Sequence, residues 1–273
     1  MHPFPSLLDG AATGAIALLA GGDPSTALRI GGSMVALQAS IGALNDVLDA
    51  PADANRKPGK PIPAGLVTAT VGRAIVVLGA GVGLLLATPS GPGLVALAGL
   101  GLVIGFGYDL VAKGTSWSWL PFALGTPLLP VYAWFGATGR LPTPFAILLP
   151  AAVVAGAALA IANARADLER DGAAGLISVA TRLGPDRAWA VQAGLLLGLI
   201  LVALVSLWLT GPAAPAAPAA AGTIGASLVI VLGMGWDLGP RASPARRERA
   251  WEIEAIGVAL LAAAWLAGVG GIR

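Results

Sequence analysis

Long apolar segments alternate with short segments that are polar or rich in Gly and Pro along the whole chain. Each apolar segment is close to the roughly 20 residues that a helix needs to cross the hydrocarbon core of a bilayer. Gly, Pro and charged residues mark where the segments end. The pattern predicts about nine spans, near residues 6–20, 24–44, 64–88, 92–110, 118–138, 144–165, 188–210, 217–235 and 250–270.

Composition supports this interpretation. Of the 273 residues, 56% are hydrophobic and 11% are charged, and the mean hydropathy is +0.83. These values are far from those of an average soluble domain. We therefore predict an all-α, polytopic membrane protein with about nine transmembrane helices, in which residues 1–273 form a single transmembrane domain.

Composition also limits the kinds of catalytic and metal-binding site that the chain can form. The chain has no Cys, and its one His is His2. This excludes disulfides, thiolate nucleophiles and Cys-ligated metals, and it argues against a Ser-His-Asp triad or a His-based zinc site. Carboxylates, Lys, Arg and two Tyr must carry any reaction.

The distribution of basic residues predicts the orientation. Of the 16 Lys and Arg, thirteen lie on the side of the long polar segments, which we assign to the cytoplasm, and Arg29, Arg140 and Arg273 lie on the other side. By the positive-inside rule we expect the N-terminus inside and the C-terminus outside a bacterial-type cytoplasmic membrane. The start of the chain lacks a basic region typical of a signal peptide, so we expect a retained first span. Because the basic residues lie in short loops, membrane topology explains the net charge, and we predict no nucleic-acid partner.

Acidic residues are clustered where positive-inside loops do not require them. In the first cluster, Asn45, Asp49 and Asp53 fall within about 80° of one another around a helix, and Asp46 lies beside them. We expect Pro51 to kink or end this helix, which would leave Asp53 on an unwound turn. Arg56, Lys57 and Lys60 follow directly in a Pro-rich loop. Beside the carboxylates, this loop has the character of an anion clamp.

The second cluster repeats the pattern. Asp167 and Asp171 are spaced i, i+4, and they follow Asp49 and Asp53 by the same interval of 118 residues. Carboxylates this close repel one another unless a cation neutralises them. Arg165 and Arg170 are the ordinary candidates, and Mg²⁺ bridging a diphosphate is the alternative that would engage both clusters.

These residues resemble the UbiA superfamily of intramembrane prenyltransferases, particularly its 4-hydroxybenzoate polyprenyltransferase-like members. The run from Asn45 to Asp53 matches the NDxxDxxxD motif, and the run from Asp167 to Asp171 matches the DxxxD motif. Tyr108 and Lys113 look like the family's YxxxxK element. The KPxKPIPxG loop at 57–65 and the segment GLISVATRLG at 175–184 also resemble family segments.

The resemblance implies helices around a central cavity, with two facing Asp motifs that bind Mg²⁺ and the diphosphate of an isoprenoid donor. It assigns the metal site to Asn45, Asp49, Asp53, Asp167 and Asp171. Asp46, Asp49, Asp167 and Asp171 would serve catalysis, with Asp46 and Asp53 supporting the ligands or handling protons. The diphosphate would be bound by Arg56, Lys57, Tyr108 and Lys113.

Two positions depart from the family pattern. Ala164 stands where many members carry a further Asp, and Leu176 stands where many carry Lys. Both changes remove charge from the expected donor site. Since neither breaks an Asp motif, we still expect activity, with phosphate contacts redistributed to Arg170 or Arg182.

Other functions compete with a transfer to a lipophilic or aromatic acceptor. A related enzyme that cyclises a prenyl diphosphate without an acceptor would keep the same motifs. A CDP-alcohol phosphotransferase would need an Ala-Arg pair after Asp171-Gly172, which the chain lacks. A transporter should carry acidic residues in the middle of its spans, whereas the acidic clusters of this chain lie at the cytoplasmic ends of the predicted spans. Acceptor identity, which in this superfamily includes aromatic acids, quinone precursors, tetrapyrroles and glycerol lipids, is left open, as is the prenyl chain length.

Overall fold

A computed structural model describes residues 3–210, 217–238 and 242–269 of the chain, except the side chains of Pro3, Arg56 and Thr210. The described residues are almost entirely helical. The helices are α1 (Pro3–Leu19), α2 (Pro24–Arg56), α3 (Ala69–Ala87), α4 (Pro92–Gly107), α5 (Leu120–Gly125), α6 (Leu128–Thr138), α7 (Phe145–Ala166), α8 (Leu168–Ala173), α9 (Val179–Leu183), α10 (Pro185–Thr210), α11 (Ala217–Trp236) and α12 (Pro244–Val269).

Eight segments within these described ranges are long and apolar enough to cross a membrane. The first predicted span is the exception, because α1 is only 17 residues long. The predicted span at 118–138 is interrupted between α5 and α6, where Pro127 lacks the N–H of a helical hydrogen bond. The all-helical membrane fold is therefore confirmed, while the count of nine spans is approximate.

The chain divides into two compact units, and we describe each by itself. The first unit comprises residues 1–111 and 128–141, and the second comprises residues 112–127 and 142–273. In the first unit, α2 packs against α1 and α3, and α6 packs against α1. In the second unit, α7 packs against α5, α10 and α12, and α11 packs along α12.

Small residues let the helices of the first unit approach closely. A Cβ atom on Gly79 would lie 2.8 Å from the carbonyl oxygen of Ala36, so only Gly fits there. Ser33 bridges the helices through its hydroxyl, which bonds to the Gly83 carbonyl and the Tyr132 hydroxyl, each at 2.6 Å. Close packing and interhelical hydrogen bonds drive helix association where lipid removes the hydrophobic driving force.

Helix ends in the first unit are capped by side chains. Asp23 accepts hydrogen bonds from the backbone amides of Ser25 and Thr26 at the start of α2, and hydrogen bonds from the Ser25 and Thr26 side chains also lower the pKa of its carboxyl. Arg29 donates to the carbonyl of Leu86 near the end of α3, where the helix dipole favours a cation. These contacts give α2 a fixed start, from which it continues to the first Asp motif.

The helix α2 passes through Pro51 without ending. It continues to Arg56, and the amide of Lys57 still bonds to the carbonyl of Asp53 at 2.8 Å. The expectation that Asp53 lies on an unwound turn is therefore wrong, because α2 accommodates the one missing N–H of Pro51 within the helix. The low-complexity segment at 211–218 has the composition of a spacer, and residues 211–216 of it lie outside the described residues.

Candidate active site

The first Asp motif converges on one cation, Lys60. Its Nζ atom lies 2.7 Å from Asp53, 3.1 Å from Asp46 and 3.8 Å from Asp49. Asp46 and Asp53 are buried, and the Lys60 side chain is 12% exposed. These three acids are spaced i, i+3 and i+7 along α2, so they share one helix face. Lys60 was expected to lie near the carboxylates, but its position as the shared partner of all three was not predicted.

The loop after α2 brings Lys60 back to the helix. The amide of Lys60 bonds to the carbonyl of Lys57, and the amide of Ala64 bonds to the carbonyl of Lys60, which closes two successive turns. Pro58, Pro61 and Pro63 fix φ in this segment and limit its conformations. Burial disfavours the charged form of Lys60. The hydrogen bonds with Asp53 and Asp46 outweigh this effect and raise the pKa of the ammonium above its ordinary value.

Asn45 faces a different partner from the three acids. Its Nδ2 atom donates a hydrogen bond of 2.8 Å to Oδ1 of Asp109. Asp109 belongs to a π-helical turn, Tyr108–Ala112, that follows α4. Such turns are rare in proteins, and those that do occur often lie at functional sites. Asp109 was absent from the predicted site, although its place next to Tyr108 could have drawn attention to it.

The predicted diphosphate ligands occupy loop and turn positions. Lys57 directly follows α2, and Tyr108 begins the π-helical turn. Lys113 comes directly after that turn along the chain. The backbone of Arg56 ends α2, but its side chain lies outside the described residues. The roles of these four residues stay predictions.

Asp9 contacts α2 at a position that precedes the first Asp motif. Its Oδ2 atom accepts a hydrogen bond of 2.6 Å from Nε2 of Gln38, and both side chains are partly buried. Gln38 lies two turns before Asn45 in α2. Asp9 therefore packs against the helix that carries the first Asp motif.

The second Asp motif lies where α7 gives way to α8. Asp167 lies between α7 and α8, and its carbonyl accepts the amide of Asp171 at 2.8 Å. Its carboxylate forms an ion pair with Arg170, and both side chains are about one third exposed, at 32% and 39%. Arg170 is one of the two basic residues that were considered as partners of this motif, and its contact is with Asp167. The suggested transfer of phosphate contacts to Arg170 or Arg182 stays a prediction.

Arg165 does not neutralise the motif. Its buried guanidinium donates to Oδ2 of Asp237 at 2.6 Å and to Oε1 of Gln192 at 2.8 Å. Gln192 in turn donates to both oxygens of Glu254, at 2.8 and 2.7 Å. All four side chains are buried. This polar network joins α7, α10 and α12 to the residue that follows α11.

Sequence reasoning missed this network. Its members are far apart in the chain, and no spacing pattern links Arg165 to Gln192, Asp237 and Glu254. The predicted start of the last span at residue 250 also placed Glu254 near a helix end, whereas α12 begins at Pro244. Glu254 consequently lies well inside the helix.

The donor set fits a hard divalent cation. Three carboxylates of the first motif approach a single cationic atom, and oxygen is the ligand that Mg²⁺ prefers. Among the described residues, no three acidic or His side chains are close enough to one another to form a metal-binding cluster by themselves. Mg²⁺ typically takes only one or two carboxylates and completes its shell with water and phosphate oxygens. The residues present therefore suit magnesium bound together with a diphosphate.

Comparison with known proteins identifies related folds. A UbiA homologue from Aeropyrum pernix K1 superposes with a TM-score of 0.78 at 17% identity, covering 96% of this chain and 98% of that chain. A UbiA homologue from Archaeoglobus fulgidus bound to DMAPP and Mg²⁺ gives a TM-score of 0.67 at 18% identity, covering 95% and 96%. A digeranylgeranylglyceryl phosphate synthase gives 0.69 at 14% identity, covering 98% and 94%.

The comparison with curated proteins found no match. The structural likenesses, at 14–18% identity, establish the fold. Sequence evidence for the family comes from the model of the UbiA prenyltransferase family, which matches residues 10–253. This match includes both Asp motifs and all but the ends of the chain. The chain is an integral membrane protein that belongs to the UbiA prenyltransferase family.

Proposed function

We propose that the protein transfers a prenyl group from an isoprenoid diphosphate to a lipophilic or aromatic acceptor within the membrane, releases diphosphate and requires Mg²⁺. The observation that carries this proposal is the convergence of Asp46, Asp49 and Asp53 on one cationic atom at the end of a membrane helix. Membership of the UbiA prenyltransferase family supports prenyl transfer as the reaction at this cluster. The Archaeoglobus fulgidus homologue bound to DMAPP and Mg²⁺ supports the choice of donor and metal.

The reaction balances as a substitution at the allylic carbon. The bond between that carbon and the bridging oxygen breaks, and its electron pair leaves with the diphosphate. The acceptor supplies the electron pair of the new bond and then loses a proton. Bound Mg²⁺ would supply Lewis-acid stabilisation of the departing negative charge.

The residues of the two motifs would hold the metal and the diphosphate. In this proposal Asn45, Asp49, Asp53, Asp167 and Asp171 provide oxygen ligands. Asp46 supports the ligands or handles a proton through its buried carboxylate. Arg56, Lys57, Tyr108 and Lys113 contact phosphate oxygens, where fixed cations and donors stabilise the charge that develops as the bond breaks.

Lys60 has a defined part in this proposal. Its ammonium pairs with the carboxylates of Asp46, Asp49 and Asp53. A bound metal would bring more positive charge to the same carboxylates, and Lys60 would then be free to contact an anionic group of the donor. The apolar faces of the membrane helices bind the isoprenoid chain and keep water from the reacting carbon.

The test is product formation by the detergent-purified protein. Geranyl, farnesyl and geranylgeranyl diphosphates are each supplied with Mg²⁺ or EDTA, with and without aromatic acids, quinone precursors and glycerol lipids. A prenylated acceptor that forms only with Mg²⁺ supports the proposal. Hydrocarbon formed from the donor alone identifies a cyclase instead. Prenylation that is unchanged by EDTA contradicts the role of the metal.

A further inference from the structure

Arg247 holds the chain on both sides of Asp167. In the first turn of α12, its Nη1 atom donates to the backbone carbonyl of Arg165 at 3.2 Å. The same atom lies 2.7 and 2.8 Å from the two carboxylate oxygens of Glu169. Arg165 and Glu169 are two residues before and two residues after Asp167. The backbone around Asp167, where α7 ends and α8 begins, is therefore tied to α12 on either side.

The anchor of this arrangement is buried. The Arg247 side chain is 6% exposed, whereas Glu169 is 54% exposed. The Arg165 side chain extends away to Asp237 and Gln192, so it fixes its own backbone from a second direction. A pair with one half-exposed partner contributes little to the free energy of unfolding. Stability alone is therefore a weak reason for the pair between Arg247 and Glu169.

We infer that Arg247 and Glu169 are positioning residues for the second Asp motif. By fixing the turn between α7 and α8, they set the direction in which Asp167 and Asp171 present their carboxylates to magnesium and diphosphate. This inference rests on the proposed function, because it concerns the same site. In this role Arg247 and Glu169 act through the two carboxylates and not by contact with the substrate. Removing such supporting contacts typically weakens metal binding by about 10- to 100-fold.

The direct test is binding of magnesium diphosphate to the purified full-length protein, measured by isothermal titration calorimetry. Glu169→Gln removes the charge but keeps the size of the side chain. We expect binding about 10- to 100-fold weaker than in the wild type. The matched control is Glu252→Gln, because Glu252 also accepts from an Arg of α12, Arg249, at 2.6 Å. The control should bind like the wild type, and both variants should unfold at similar temperatures.

A second variant separates positioning from charge. Arg247→Lys keeps the positive charge, but a single ammonium cannot reproduce the geometry of the guanidinium. We expect its affinity to lie between those of the wild type and Glu169→Gln. In the assay of product formation, the KM for the donor should rise in both variants, and the KM for the acceptor should stay within about twofold of the wild-type value. The reason is that the second Asp motif binds the donor's diphosphate.

The outcomes are distinct. Equal binding by wild type and Glu169→Gln overturns the inference and leaves the proposed function standing. An equal rise in the KM of donor and acceptor overturns it as well. Failure of the wild type to bind magnesium diphosphate contradicts the proposed function itself, and the inference falls with it.

Discussion

The ammonium of Lys60 lies 2.7 Å from the carboxylate of Asp53 and 3.1 Å from that of Asp46. Asp46 precedes Asp53 by about two turns of α2. One loop cation thus holds together two buried acids of α2 that would otherwise repel. The first Asp motif is ordered around a positive charge supplied by the protein itself. A site with this property should respond to the loss of Lys60 and to added divalent cations.

Replacing Lys60 with Met should destabilise the protein when no metal is present. The variant leaves buried carboxylates without their shared cation, and breaking a buried pair costs about 3 kcal/mol. Thermal unfolding in detergent with EDTA should show the loss, and Mg²⁺ should restore part of it. Arg73→Met, which removes an exposed cation from α3, is the control. Equal unfolding temperatures for the two variants would refute the structural role of Lys60.

The stabilising effect of Lys60 should persist to high pH. Its pKa in the folded protein is raised above the ordinary value of 10.5. The stabilisation is therefore fully present below pH 10.5 and declines only as the pH rises through the folded pKa. The difference in unfolding temperature between wild type and Lys60→Met, measured in steps from pH 8 upward, should stay constant before it shrinks. A difference that disappears already near neutral pH would contradict this assignment.

The sequence predicted the membrane fold because span length and hydropathy act locally. The apolar segments, the Pro and Gly that interrupt them and the two Asp motifs can all be recognised from neighbouring residues. The continuation of α2 through Pro51 could not be predicted in this way. Whether a helix tolerates a missing hydrogen bond depends on the packing around it, and α2 packs extensively on α1 and α3.

The candidate site was predictable in its residue types but only partly in its contacts. The repeated acidic spacing identified Asp49, Asp53, Asp167 and Asp171. The pairing of Asn45 with Asp109 was not evident, because it joins residues 64 positions apart. The same holds for the contact between Arg247 and Glu169. These partners depend on how helices pack, which periodicity within a single segment does not encode.

Replacing Arg165 with Met should be among the more damaging single changes in the second unit. It leaves the buried carboxylate of Asp237 without its cation, and such a loss costs about 3–5 kcal/mol. The added change Asp237→Asn should recover part of that loss, because it removes the uncompensated charge. Thermal unfolding of the single and double variants measures the coupling between the two residues.

The control for this series is Arg187→Met, at an exposed position of α10. Its free energy of unfolding should lie within about 0.5 kcal/mol of the wild-type value, as for most surface substitutions. A double variant that is less stable than Arg165→Met by the full effect of Asp237→Asn alone would mean that the two residues act independently. That result would contradict the network described above.

Lys113→Ala should weaken donor binding more than acceptor binding. In the proposed function Lys113 contacts a phosphate oxygen of the donor diphosphate, so its loss should act mainly on the donor. We expect the apparent KM for the donor to rise about tenfold, equivalent to roughly 1.4 kcal/mol, while that for the acceptor changes little. Steady-state kinetics with each substrate varied in turn provides the measurement. Equal changes in the two KM values would count against the phosphate role.

Asp49→Asn and Asp167→Asn should each abolish turnover with little loss of fold. Each change removes a ligand charge and preserves the size of the side chain. Neither removes the closest partner of Lys60, and the pair between Asp167 and Arg170 is partly exposed. The unfolding temperatures of both variants should therefore stay near that of the wild type.

The most direct test of the central claim is diphosphate release from a prenyl diphosphate, measured side by side for the wild type and these two variants. The account predicts release by the wild type with Mg²⁺ and acceptor, none with EDTA, and none from either folded variant. Normal release by Asp49→Asn or Asp167→Asn would contradict the claim that both Asp motifs are needed for the magnesium-dependent release of diphosphate.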